Sequence, residues 1–330
     1  MKQSIGLTYD LRSEYLALGY REEDVAEFDS DATVNALQAA IEELGYSVDR
    51  IGNARALCAR LCKNDRWDLV FNIAEGLYGR SREAQVPSLL ELYGLPHTFS
   101  DPLVCALTLD KAMAKRVLQS AGLHTPRFHV IRADSDLDAV DLPYPLFAKP
   151  IAEGTGKGID RTSKIETPSQ LREVCGRLLE RFDQPVLVEE YLPGREYTIG
   201  LLGTGNQARV LGAMEVAIRK QADTVIYSYD VKENSEELVD YARPARTPET
   251  EEVEALALEA YRMLEVRDAG RVDIRLDRYD RPAFMEVNPL PGLHPTHSDL
   301  PMIARQEGLS YAKLIGSIIE SALERASALP

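Results

Sequence analysis

The residue types best suited to chemistry lie between Arg271 and Gly292, in RVDIRLDRYDRPAFMEVNPLPG. The first half alternates, with Val272, Ile274 and Leu276 on one face and Arg271, Asp273 and Arg275 on the other. The second half sets Met285 and Val287 against Glu286 and Asn288. The intervening DRYDRP has turn composition, so the segment predicts an antiparallel hairpin. Pairing Leu276 with Ala283 places Asp273 opposite Glu286 and Arg271 opposite Asn288. Opposed residues have Cβ atoms about 4.5–5.5 Å apart, and like charges there are destabilising. Two carboxylates and an amide at that distance suit a divalent cation, Mg²⁺ or Mn²⁺ rather than zinc. So few protein ligands leave the rest of the shell to water and substrate phosphates. A solvated sheet face, its acids neutralised by Arg271 and Arg275, has the same pattern, and the hairpin alone does not separate the two.

A second concentration of functional types is AKPIAEGTGKGID, with Gly154, Gly156 and Gly158. It joins two predicted strands, whereas a P-loop or a Rossmann fingerprint needs a helix N-terminus for the phosphate. Alternating glycines with Thr155 and Lys157 suit a lid whose backbone N–H groups wrap a phosphate. A plain flexible hairpin loop has the same composition. Lys149 ends the apolar strand PLFAKP beside it, where a charge needs an anionic partner. In VLVEEYLPGREYTIG, Glu189 and Glu190 follow an apolar run and Glu196 comes soon after. Acids beside a free backbone edge can accept hydrogen bonds from an adenine amino group and ribose hydroxyls. Taken singly, each glutamate reads as a surface residue.

The elements that hold these groups follow from length and pattern. The chain has 330 residues, 45% hydrophobic and 28% charged, enough for more than one globular domain. A net charge of −15 argues against non-specific binding to nucleic acid or an anionic membrane, but not against a phosphate met by local lysines. No apolar run approaches the roughly 18 residues that span a bilayer, and no signal-peptide layout is present, so the cytoplasm is the expected location. Cys58, Cys62, Cys105 and Cys175 are expected to be reduced and mostly buried, with no nearby histidine to complete a zinc site.

Strand, helix, strand, helix and strand over residues 3–74 predict a Rossmann-like parallel sheet. Glu75 and Gly76 close its third strand, at the end where open α/β sheets bind ligands. Residues 10–31 read as a polar loop, and PHTF as a fourth strand. PLVCALTLDKAMAKRVLQSAGL reads as one long helix, and Thr167 as the cap of a later one. VLVEE and EYTIGLL read as strands on either side of a turn at Pro193-Gly194, and residues 233–250 as a polar segment. The expected domains are 1–100, 101–184 with the glycine-rich loop, and 185–330 with the hairpin.

Taken together and in this order, these pieces resemble the ATP-grasp superfamily, and within it the D-alanine–D-alanine ligases. The resemblance is carried by LYGLPHTFSDPLVCALTLDKAMAK, FAKPIAEGTGKGI, VLVEEYLPGREYTIG, GRVDIRL and FMEVNPLPGLHPTHSDLPMIARQEGLSY, and is strongest from about residue 92 to residue 320. It implies an α/β ATP-grasp fold, a Rossmann-like N-terminal domain plus two α+β domains that sandwich ATP. It implies that Lys111 and Lys149 contact ATP phosphates, with Glu153, Gly154, Thr155 and Gly156 in the covering loop. Glu189 would read the adenine, helped by the backbone near Glu190 and Leu192, and Glu196 would bind the ribose. Asp273, Glu286 and Asn288 match the ligands of two Mg²⁺ ions, and Lys232 a lysine on the γ-phosphate. Tyr227 matches a substrate-loop tyrosine, and Arg271 an arginine that steadies the acyl phosphate and tetrahedral intermediate. Gly292 and Ser298 fall where the acceptor carboxylate is bound.

The implied activity is ATP-dependent ligation of a carboxylate to an amine, with D-alanine as default substrate and peptidoglycan synthesis as its setting. The implied partners are small-molecule amino acids, and such ligases are often homodimers. The amino-acid half departs from the pattern. The serine- and glutamate-rich N-terminal loop of these ligases has no clean equivalent, Glu27 and Asp29 being loose candidates. EGLYGRSREAQ replaces HG-x-x-GEDG, and Glu233 follows Lys232 where a tyrosine is often found. A ligase of the same chemistry for other amino or hydroxy acids, and a nucleotide-binding regulator without catalysis, are the alternatives. Nothing in the sequence supports a biotin-dependent carboxylase.

Overall fold

Strand alternation and apolar runs divide the chain among three sheets in the computed structural model, which describes residues 2–218 and 239–327. The first is parallel, β1 (Ser4–Thr8), β2 (Ser47–Gly52) and β3 (Leu69–Asn72) in the order β2-β1-β3. The stretch expected as a loop contains a short helix, α1 (Arg12–Ala17). Its Tyr15 packs on Phe28 with ring centroids 4.7 Å apart and donates to Asp10. The crossovers run through α2 (Asp31–Glu43) and α3 (Ala54–Cys62). Cys58 and Cys62 on α3 are exposed, against expectation, while Cys105 and Cys175 are buried. After α4 (Gln85–Leu92), PHTF supplies only a single bridge from His97 to Val70 rather than a strand.

The predicted long helix is two, α5 (Pro102–Leu109) and α6 (Lys111–Ser120). Asp110 breaks it with ψ 97°, and its side chain accepts from the Met113 N–H as an N-cap. Val104, Ala114 and Leu118 from these helices join a core with Val272 and Phe284. The second sheet, β4-β7-β5-β6, is built from β4 (Phe128–Ile131), β5 (Leu146–Pro150), β6 (Lys164–Ile165) and β7 (Val186–Glu190). It packs on α7 (Pro168–Phe182), capped by Thr167 as expected. The third, β10-β9-β8-β11-β12, contains β8 (Glu196–Leu202), β9 (Arg209–Ile218), β10 (Val239–Ala242), β11 (Ala269–Leu276) and β12 (Pro282–Asn288).

Thus VLVEE and EYTIGLL are not partners. One finishes the second sheet, beyond the boundary expected at residue 184, and the other lies inside the third. The turn between them presses on β11: a Cβ at Gly194 would lie 2.5 Å from that of Leu276. β10 falls inside the segment read only as polar. Among the described residues, no helix is long and apolar enough to cross a membrane.

The first and third sheets are joined through Asp268, which is fully buried at φ +62°. It accepts from the Phe99 N–H at 2.8 Å, Ser321 Oγ at 2.9 Å, Thr204 Oγ1 at 3.2 Å and Arg325 Nη2 at 2.7 Å. Removing one partner of a buried pair strands the other charge. Asp268→Asn keeps a side chain that tolerates the left-handed backbone. It is expected to cost on the order of 3 kcal/mol, read from urea denaturation, and a loss below about 1 kcal/mol would show that the junction does not depend on the carboxylate.

Candidate active site

The β11–β12 ladder pairs Arg271 with Asn288 and Asp273 with Glu286, the register expected from alternation. Toward the turn it slips by one. Ile274 faces Phe284, and Leu276 faces Pro282 rather than Ala283. A β-bulge inserts one unpaired residue and resets which side chains share a face. Here it puts Phe284 and Val287 in the core and leaves Met285 beside Glu286 on a cavity wall. The expected face shared by Met285 and Val287 therefore does not exist.

On the polar face, Asp273 Oδ1 accepts from Thr198 Oγ1 at 2.9 Å, and Oδ2 lies 3.0 Å from Arg271 Nη2 and 3.5 Å from Asn288 Nδ2. Arg271 is gripped from its other end by Asp299, while its Nε is buried with no hydrogen-bond partner among the described residues. Glu286 Oε2 lies 3.5 Å from Lys111 Nζ and 3.9 Å from Lys149 Nζ. Burial pushes the Asp273 carboxyl up; Arg271 opposes this and Glu286 adds to it. Among the described residues no three His, Cys, Asp or Glu side chains converge on one metal position. The donor set is two carboxylates and an amide, which fits a hard cation that takes its remaining ligands from phosphate and water.

Lys149, almost fully buried at the end of β5, has the anionic partner its position requires, Glu189 Oε1 at 3.2 Å. The other oxygen of Glu189 is 2.9 Å from Lys115, which sequence reasoning missed. Lys115 lies one helical turn beyond Lys111 on α6, a spacing that could have flagged it. It has no exposed surface and donates to Thr125 Oγ1 at 2.9 Å and the Phe284 carbonyl at 3.2 Å. Burial drives its ammonium down to about 8, with Glu189 opposing. Burial also pushes Glu189 up, but Lys115 and Lys149 win and hold it below the ordinary carboxylate range.

The other candidates are less alike in setting. Glu196 pairs with Arg275 at 3.2 Å on a cavity wall, Glu190 pairs with Arg127 at 2.9 Å, and Leu192 is buried. Lys232, Tyr227 and Glu233 lie outside the described residues.

Two cavities meet at Arg271, Glu286 and Thr155. The smaller, about 90 Å³, is walled by Phe147, Lys149, Gly156, Glu196, Asp273 and Met285. The larger, about 600 Å³, runs from Lys111, Glu153, Gly154 and Asn288 past Gly292 and Ser298 to the N-terminal sheet. Ser298 Oγ accepts from the His294 N–H at 2.9 Å, and a Cβ at Gly292 would come within 2.8 Å of it. The glycine-rich loop is anchored by Glu27, which accepts from the Gly154 N–H at 2.8 Å and from Arg82 at 2.5 Å. Lys157 is buried against Glu27 and Glu153, at 3.3 and 2.9 Å, rather than paired with the acids beside Lys111 and Lys149. Gly158 is required: it has φ +73°, and a Cβ there would lie 2.6 Å from Pro150 Cγ.

Antiparallel sheets facing one another across a lysine-lined cleft, behind a Rossmann-like sheet, define an ATP-grasp protein. A family model described as "D-ala D-ala ligase C-terminus" matches residues 117–320. A D-alanine–D-alanine ligase of Bordetella petrii is 39% identical over 260 residues, 78% of this chain and 76% of its own. A protein of Sinorhizobium fredii, named only as uncharacterized, is 32% identical over 267 residues, 78% of this chain and 75% of its own. The crystal structure of the Bacillus anthracis D-alanine–D-alanine ligase complexed with ATP superposes with a TM-score of 0.76 over 99% of both chains, at 23% identity. The chain belongs to the D-alanine–D-alanine ligase family.

On the N-terminal wall of the larger cavity, burial and then Asp10 push Asp29 up to about 8. A carboxyl whose folded pKa lies above its unfolded one contributes stability that is complete below about pH 4. That contribution is lost as pH rises through the folded value. The unfolding midpoint of the ligand-free protein should therefore fall between pH 5 and pH 8, and Asp29→Asn should flatten the fall. An unchanged slope in the variant would count against the assignment.

Proposed function

We propose that this protein is an ATP-dependent carboxylate–amine ligase that forms a peptide bond through an acyl phosphate, with D-alanine as its default substrate. The observation that carries the reading is Asp273 facing Glu286 beside Lys111, Lys149 and Arg271, where the two cavities meet. The activity for which the family is named and a structural neighbour complexed with ATP support it.

A carboxylate is a poor acylating agent at neutral pH. Its oxygen attacks the γ-phosphorus, the β–γ bridge breaks and ADP leaves. The amine nitrogen then adds to the acyl carbon, loses a proton and expels phosphate. Charge that builds on the transferred group needs cations fixed beforehand. Lys149 and Lys111 are already desolvated and positioned by Glu189, Glu286 and the Glu153 carbonyl. Arg271 is clamped by Asp273 and Asp299 and keeps its Nε–H free of hydrogen bonds among the described residues, a donor for an oxyanion. Asp273, Glu286 and Asn288 would hold Mg²⁺, which when bound neutralises phosphate charge. The anchored glycine-rich loop would keep water from the acyl phosphate.

One observation favours a substrate other than D-alanine: Glu75 and its neighbours stand where these ligases carry HG-x-x-GEDG. The test is phosphate release with ATP, Mg²⁺ and amino-acid panels. Glu286→Gln is expected to lower kcat by about a hundredfold or more while the protein stays folded. Turnover within a few-fold of wild type would remove Glu286 from the catalytic set, and no phosphate release by the wild-type protein with any panel would favour a regulator instead. Chelation with EDTA should stop the reaction and excess Mg²⁺ restore it.

A further inference from the structure

Lys115 carries a charge that none of its neighbours needs. It has no exposed surface and stands one helical turn beyond Lys111 on α6. Its hydrogen bonds go to two uncharged groups, Thr125 Oγ1 at 2.9 Å and the Phe284 carbonyl at 3.2 Å. That carbonyl already accepts from Thr125 Oγ1 at 2.9 Å, so the lysine is not required to satisfy it. The remaining contact, Glu189 Oε2 at 2.9 Å, is one of charge, since that oxygen accepts no hydrogen bond among the described residues. Glu189 has a second cation, Lys149, 3.2 Å from its other oxygen. Burying an ammonium costs free energy, and an apolar chain of similar length would fill the same space without that cost.

Two ammonium groups thus meet on one carboxylate. Were Lys149 alone with Glu189, the pair would be neutral and both carboxylate oxygens could turn to that lysine. With Lys115 holding one oxygen, one positive charge is left over. It falls on the side that faces the cleft: Lys149 lines the smaller cavity, whereas Lys115 and Glu189 stand behind it and line neither of the two. Glu286 does not take up the surplus, because Lys111 meets it more closely, at 3.5 Å against 3.9 Å from Lys149.

We propose that Lys115 is a positioning residue for nucleotide phosphate: by taking one oxygen of Glu189, it leaves the charge of Lys149 for the phosphate chain in the cleft. It acts through those two side chains. The inference rests on the ligase reading, in which Lys149 meets an ATP phosphate. The charged groups that face Lys115 are Glu189 from β7, Lys149 from β5 and Glu286 from β12. Burial pulls Lys115 down to about 8, so its charge is largely present at pH 7 and is lost as pH rises past that value. Burial pulls Lys149 down as well, but Glu189 and Glu286 outweigh it and hold that ammonium above its ordinary range.

The test compares a non-hydrolysable ATP analogue with adenosine, both with Mg²⁺, on the whole protein. The analogue is measured by titration calorimetry and adenosine by competition against it. Lys115→Met is expected to weaken the analogue on the order of tenfold or more, while adenosine changes by less than about threefold. In the wild type, the preference for the triphosphate should shrink as pH rises from about 7 to about 9.5, and in Lys115→Met it should stay level. Lys115→Gln keeps donors for Thr125 and Phe284 and is expected to match the Met variant. A lysine with a merely structural role predicts that both ligands weaken alike, or that neither does. Either result would overturn the assignment. So would a wild-type preference that is level in pH, a measurement that stands even where the variants fail to fold. Failure of the wild-type protein to bind the analogue would sink the ligase reading and the inference with it.

Discussion

Two carboxylates forced against each other across neighbouring strands set the terms for the whole site. Asp273 and Glu286 occupy directly paired positions, where like charges repel. The structure tolerates this because cations meet them: Arg271 from the same strand, Lys111 from α6 and Lys149 from the second sheet. Lys149 in turn shares Glu189 with Lys115, so a chain of alternating charges runs from the third sheet into the second. Each of these groups lies within 4 Å of at least one partner of opposite charge. That is what electrostatic preorganisation requires before a phosphoryl group is transferred.

How much of this was legible depended on how local the signal was. The pairing of Asp273 with Glu286 could be read from two-residue alternation around a short turn, and Lys149 from a charge ending an apolar strand. The bulge was invisible, since no glycine marks it, and it moved Met285 from the core to the cavity. Lys115 was hidden because a lysine on an amphipathic helix ordinarily faces water. Only the fold shows that it points between two sheets. Pro193-Gly194 looked like a hairpin turn, but the chain passes there from one sheet to another, which no local pattern encodes. Asp110 hid a helix break because a capping aspartate and an interior one look alike in a helical run.

The two halves of the site differ in kind. Around the hairpin and the lysines, nearly every charge has a partner, and the arrangement agrees with the family resemblance. Against the N-terminal sheet, acids outnumber their partners, and the local sequence departs from the family. Glu27 belongs to the first half in function: it was a loose candidate for an amino-acid contact, yet it anchors the glycine-rich loop. The two sets of groups thus sit on separate elements, which lets one vary while the other is kept.

The apolar core of the first sheet is not closed by its own residues. Ile5, Leu7, Leu37 and Phe71 pack with Leu314, Ile318 and Ile319, and Asp268 ties Phe99 to Ser321 and Arg325. A nascent chain leaving the ribosome therefore keeps one side of that sheet uncovered until residues 314–319 have been translated. During that interval it is exposed to chaperones and to self-association, although its strands were made first.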